Sequence, residues 1–121
     1  MIDIILNGDA YGPCTINKLD ISMNNFGSST KLLASAFAKN TSVVNLDISQ
    51  CSLGVAGMKA LASALKQNSQ IKWLNLYRNL IDVDGARSLA DALKVNKTIQ
   101  FLDIGFNRIR NSGLQAITEA L

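Results

Sequence analysis

The stretch Ile71-Lys72-Trp73-Leu74-Asn75-Leu76-Tyr77-Arg78-Asn79-Leu80-Ile81 and the segment Gly85 to Asn96 that follows (GARSLADALKVN) differ in hydrophobic period. Leu74 and Leu76 flank Asn75, the alternation of a strand with one face buried. In the second segment apolar residues fall at i, i+3, i+4 and i+7 (Ala86, Leu89, Ala90, Leu93), with Arg87, Asp91 and Lys94 on the opposite face of the same helix. One short strand, a turn and one amphipathic helix cannot enclose a core alone. Such units must stack.

The unit recurs along the chain. Its strand core is Leu19-Asp20-Ile21, Leu46-Asp47-Ile48, Leu74-Asn75-Leu76 and Leu102-Asp103-Ile104, at intervals of 27, 28 and 28 residues. Ile16, Val43, Ile71 and Ile99 precede each core by three positions. Asn24, Cys51, Asn79 and Asn107 follow its leading leucine by five, and Phe26, Leu53, Ile81 and Ile109 by seven. Gly57, Gly85 and Gly113, with Ser29 in that place in the shorter first unit, open the helical segment. Asn40, Asn68 and Asn96 recur after the helices.

The pattern L-x-x-L-x-L-x-x-N/C-x-L followed by a helix resembles the leucine-rich repeat of the ribonuclease-inhibitor type. Ribonuclease inhibitors, the sensor ends of NOD-like receptors, Ran GTPase-activating proteins and tropomodulins share that repeat. The resemblance implies an α/β solenoid, a parallel sheet on the concave side and helices on the convex side. Residues 1–121 then form a single leucine-rich repeat domain, with repeats over 16–42, 43–70, 71–98 and 99–121. Residues 1–15, with Ile2-Asp3-Ile4 and Asn7 at the strand spacing, read as a partial N-terminal repeat. Leu121 is equivalent to Leu65 and Leu93, so the last repeat is truncated and the chain is expected to be a fragment of a longer solenoid. The resemblance further implies that Cys51 takes the place of the asparagine that bonds backbone of the neighbouring turn.

Composition narrows the function. The 121 residues are 48% apolar and carry twelve basic and nine acidic side chains, a net charge of +3 too mild to argue for nucleic acid. No histidine is present, which removes the commonest general base, the commonest metal ligand and the Ser-His and Cys-His nucleophile pairs. Cys14 and Cys51 have neither zinc-site nor redox-motif spacing, and two cysteines make a sparse disulfide framework, so a reducing compartment is expected. The N-terminus lacks the basic region of a signal peptide, and no apolar run approaches the ~18 residues of a membrane span. The reading is a soluble, cytoplasmic protein with no cofactor, no metal and no membrane association.

Asn40-Thr41-Ser42 and Asn96-Lys97-Thr98 fit the glycosylation acceptor, but Asn68-Ser69-Gln70 at the equivalent place does not. Helix capping by asparagine in the left-handed conformation explains all three. The basic residues Lys31, Lys39, Lys59, Lys66, Arg87, Lys94 and Lys97 scatter over the helices without interleaved aromatics, as on a solvated convex face.

The outward strand positions carry the functional information. With the leucines facing inward, their neighbours form columns across the strands at a spacing of about 4.8 Å. One column reads Asp3, Asp20, Asp47, Asn75, Asp103. The column before it is Lys18, Asn45, Trp73, Phe101, and the column after it Ser22, Ser49, Tyr77, Gly105, with Arg78 and Phe106 at the concave rim. The sole tryptophan, one of two tyrosines and two of four phenylalanines thus converge on the last two repeats, the kind of surface that marks an interaction site. The expected partner-binding residues are Trp73, Tyr77, Phe101, Asp47, Asn75, Asp103, Arg78 and Phe106, and no catalytic residue is expected. The expected function is recognition of a protein partner, with the carboxylate column favouring a basic segment. Two alternatives stand: a GTPase-activating domain, for which Arg78, Arg108 and Arg110 are the arginines to consider, and a segment that self-associates through exposed solenoid ends.

Overall fold

The computed structural model describes residues 15–121. The expected partial repeat over residues 1–15, the place of Asp3 in the acidic column and Cys14 lie outside the described residues, residue 15 apart. Four strands alternate with four helices: β1 (Lys18–Asp20), α1 (Thr30–Lys39), β2 (Asn45–Asp47), α2 (Gly54–Gln67), β3 (Trp73–Asn75), α3 (Val83–Val95), β4 (Phe101–Asp103) and α4 (Arg110–Ala120). A single 3-10 turn, Gly27–Ser29, leads into α1. The strands form one parallel sheet in the order β1-β2-β3-β4, so each crossover between neighbouring strands carries one helix. Register is set by the repeat: Leu19 pairs with Leu46, Leu46 with Leu74 and Leu74 with Leu102.

Leu46, Leu74, Ile48 and Leu76 point inward and are fully buried, together with Leu61, Leu65, Leu89 and Phe37 from the helices. The core is one continuous slab between the sheet and the helix row. It thins at β1 and β4, where Leu19, Ile21, Leu102 and Ile104 are only partly covered, each with a neighbouring repeat on one side among the described residues.

The glycines at the helix starts serve close approach. Helices begin two or three residues before them, so Gly57, Gly85 and Gly113 sit in the first turn rather than opening it. A Cβ on Gly85 would stand 2.9 Å from Ile81 Cγ2 and 3.4 Å from Met58 Cβ, and one on Gly113 2.9 Å from Ala86 Cβ. Ile81 belongs to the same repeat, whereas Met58 and Ala86 are the residues just after the equivalent glycine in the previous repeat. A missing side chain therefore sets how tightly successive helices stack.

The asparagines after the helices do not adopt the left-handed conformation expected of them. Asn40, Asn68 and Asn96 are extended, with φ of −66°, −78° and −74°. They cap through their side chains instead. Asn68 Oδ1 accepts the N–H groups of Gln70 and Ile71, while its Nδ2 donates to the carbonyls of Phe37 and Asn40 one repeat back. Asn96 does the same toward Leu65 and Asn68. The amide satisfies the last carbonyls of the preceding helix and the first donors of the next strand, a bridge that backbone alone cannot make at this turn. All three are buried.

Candidate functional site

At the end of each strand the outward Asp or Asn bends the chain. Asp20, Asp47, Asn75 and Asp103 each accept, through Oδ1, the N–H two residues on, from Ser22, Ser49, Tyr77 and Gly105 at 2.8–2.9 Å. The next residue is left-handed in every repeat: Met23, Gln50, Arg78 and Phe106 have φ between 53° and 57°. The parallel ladder continues through this turn, with Met23 N–H donating to Ser49 O, Gln50 N–H to Tyr77 O and Arg78 N–H to Gly105 O. The acidic column is therefore first a column of side-chain turns. One oxygen of each residue is spent on the backbone, and Asp47 Oδ2 also accepts the Asn75 amide at 3.0 Å.

Asp20 is fully exposed, and the hydroxyl and then the N–H of Ser22 hold its carboxyl below the ordinary value, so it is ionised at neutral pH.

The second ladder lies behind the turns. Asn79 Oδ1 accepts from Cys51 N–H at 2.9 Å and its Nδ2 donates to Ile48 O at 2.8 Å. Asn107 repeats this one turn on, accepting from Asn79 and Ile81 and donating to Leu76 O. Cys51 is a free, buried thiol whose Sγ lies 3.3 Å from Ile21 O, the carbonyl that an asparagine amide would reach. Burial pushes its pKa up, the nearby Asn24 N–H opposing only in part. That is the surrounding of a structural thiol and not of a nucleophile.

The turns aim the aromatics. Trp73 and Phe101 are register partners on β3 and β4, and their rings stack with centroids 5.1 Å apart and planes 4° off parallel. Four residues along, Tyr77 and Phe106 make a second pair, at 5.1 Å and 48°. Phe101 is 47% exposed and Phe106 78%, whereas Trp73 and Tyr77 are half-buried beneath their partners. The structure thus brings Trp73, Tyr77, Phe101 and Phe106 together as two aromatic pairs flanking the polar pair Asn75 and Asp103. Arg78 is exposed at the rim beside them.

Gly105 is a contributor that the column reading passed over. A Cβ there would lie 3.2 Å from Tyr77 Cδ2, so the bare backbone is what lets the Tyr77 ring reach across to Phe106. The signal was available: glycine stands where the other repeats have Ser22, Ser49 and Tyr77. Ser49, an outward residue by parity, is buried, because its short side chain sits below the level of its neighbours on the concave floor.

Trp73 also borders a hollow of about 300 Å³ lined by Lys18, Leu19, Asp20, Asn45, Asp47 and Trp73 itself. The hollow lies toward β1 and Phe101 toward β4, so one side of the indole is stacked and the other open. At the far side of the sheet, Leu93, Ile99, Leu102, Ile104, Leu114, Ile117 and Leu121 line an apolar trough beside β4. Among the described residues no group of three His, Cys, Asp or Glu side chains is placed to hold a metal ion, and no helix is long and apolar enough to cross a membrane.

A family model described as "Leucine Rich repeat" matches residues 39–62 and 95–117. Each match runs from the end of one helix through a strand and into the next helix. No curated protein sequence matches the chain. Among solved structures, one titled "Leiomodin-1 Actin-Binding Site 2 (ABS2)" superimposes with a TM-score of 0.76 at 20% identity, over 86% of this chain and 62% of the other. The chain thus accounts for less than two thirds of that structure. Parallel strands in register, the asparagine ladder, the repeat matches and this shared architecture lead to one conclusion: the chain is a leucine-rich repeat solenoid.

Proposed function

We propose that this solenoid is a recognition scaffold, without chemistry of its own, that binds a partner protein through its concave strand face. The observation that carries the reading is the two aromatic pairs, Trp73–Phe101 stacked on β3 and β4 and Tyr77–Phe106 tilted in the turns that follow: four large rings outside the core, which the leucines beside them fill. Paired, partly pre-buried aromatics lose little side-chain entropy on binding and supply large contact area. The hollow beside Trp73 sets the carboxylates of Asp20 and Asp47 against the one ammonium of Lys18, and this excess of negative charge beside the open indole face favours a basic side chain in the partner. The intervals of 27 and 28 residues favour the ribonuclease-inhibitor class of repeat, and the free, buried Cys51 favours a reducing, intracellular setting.

The test uses peptides selected from a displayed random library on the folded chain, with the sole tryptophan as reporter. Binding at the concave face shifts Trp73 emission, and Trp73→Ala or Phe101→Ala weakens it by roughly thirtyfold, the loss of about 2 kcal/mol at a central anchor. Arg87→Ala, on the outer helices, leaves it unchanged. Selected peptides that keep full affinity for both aromatic variants and lose it for Arg87→Ala defeat the reading. The similar structure is named for binding actin, which makes actin the first whole protein to titrate with the same variants.

A further inference from the structure

The convex face is electrically divided. α3 pairs its own charges, Arg87 with Asp84 at 3.6 Å and Lys94 with Asp91 at 3.2 Å, and α4 balances Arg110 with Glu119. α1 and α2 carry Lys31, Lys39, Lys59 and Lys66 and not one carboxylate between them. All four lysines are exposed, and none forms an ion pair among the described residues. Between these two helices runs a groove of about 340 Å³. Its floor is Ala34 and Ala64, both buried, its sides are the half-buried Ala38 and Ala60, and Ser35 and Ser63 stand at its mouth. Lys31 and Lys39 border it directly, eight residues and thus about 12 Å apart along α1.

The geometry points to the α1–α2 groove as a second docking site, independent of the concave face, for an acidic protein segment. The occupant follows from charge complementarity: Lys31 and Lys39, without an ion pair among the described residues, border a channel of small residues, and Lys59 and Lys66 on α2 add to the positive charge of the same two helices. Carboxylates about two helical turns apart would meet Lys31 and Lys39 while small apolar side chains fill the channel between them. Duplex nucleic acid is too wide to use the channel and finds no stacking residue there. A bilayer would meet a hollow where an inserting apolar ridge is needed.

The experiment titrates the folded protein with a labelled helical peptide of alanine and leucine bearing glutamates two turns apart, at roughly 0.15 M salt. Controls are the same peptide with glutamines, phosphatidylserine-containing vesicles and a short DNA duplex. Lys31→Gln with Lys39→Gln is expected to weaken the glutamate peptide about tenfold, the sum of two partly exposed ion pairs. Ala38→Trp, which keeps every charge but fills the groove, is expected to weaken it comparably, with circular dichroism checking the fold and Ala60→Trp as a second filling variant. Trp73→Ala leaves this binding intact, which separates the result from the concave-face reading. Undiminished binding to both groove-filled variants overturns the site and reduces the effect to charge adhesion. Tighter, lysine-dependent binding of vesicles or DNA than of the peptide overturns the choice of partner.

Discussion

Asn79→Ala isolates what the buried amide ladder contributes. The side chain is completely buried and makes two short bonds to backbone, from Cys51 N–H and to Ile48 O, and a third at 3.4 Å from Leu53 N–H that is too long to count for much. Alanine keeps the backbone bonds of residue 79, whose N–H donates to Asn107 Oδ1 and whose carbonyl accepts from Gly54. It orphans one donor and one acceptor, each costing about 1–3 kcal/mol when buried, so the expected loss is about 3–4 kcal/mol. That is a large share of the ~5–15 kcal/mol that holds a typical domain, and it corresponds to a fall in melting temperature of roughly 10 °C or more. Urea and thermal unfolding followed by far-ultraviolet circular dichroism measure it. The matched control is Asn24→Ala, because the Asn24 amide is exposed and, among the described residues, donates only to carbonyls of its own turn, Ile21 and Ser22. It should cost less than about 1 kcal/mol, since water replaces what is lost. Equal losses at the two positions would refute the argument that burial, and not the hydrogen bonds as such, makes the ladder expensive to break.

Further outcomes follow from the same geometry. Cys51→Asn should cost little, because an amide there reaches Ile21 O as the thiol does, and the native thiol should label far more slowly than the unfolded chain at mildly alkaline pH. Rapid labelling of the folded protein would contradict its placement. Gly85→Ala should destabilise by about 1–3 kcal/mol despite alanine's better helix propensity, because its Cβ meets Ile81 and Met58; calorimetry decides the sign. Gly105→Ala should leave the melting temperature nearly unchanged but displace Tyr77 and weaken concave-face ligands, a combination that titration alongside a melting curve separates. If the apolar trough beside β4 drives self-association, sedimentation velocity should show a concentration-dependent oligomer that Leu114→Glu abolishes.

The sequence alone determined the repeat, its strand register and which residues face the core. Leu46, Leu74 and Leu76 recur at intervals that only a stacked parallel sheet can bury, and strand parity then forces Trp73, Phe101 and Tyr77 outward. Only the tertiary structure decided what the outward groups do to one another. Asp47 and Asn75 read as surface charge and polarity, yet each closes a turn two residues on and they bond across 28 residues of chain, because strands in register bring equivalent side chains within hydrogen-bonding distance. Asn40, Asn68 and Asn96 read as left-handed caps, yet all three are extended, and Asn68 and Asn96 bridge neighbouring repeats, since the carbonyls they satisfy belong to the previous repeat and are not visible in any local window. The pairing of Tyr77 with Phe106 depends on the bare backbone at Gly105, and the division of the convex charge depends on which helices lie side by side. Periodicity fixes the direction in which a side chain points. The distance to its neighbour is set only when the repeats stack.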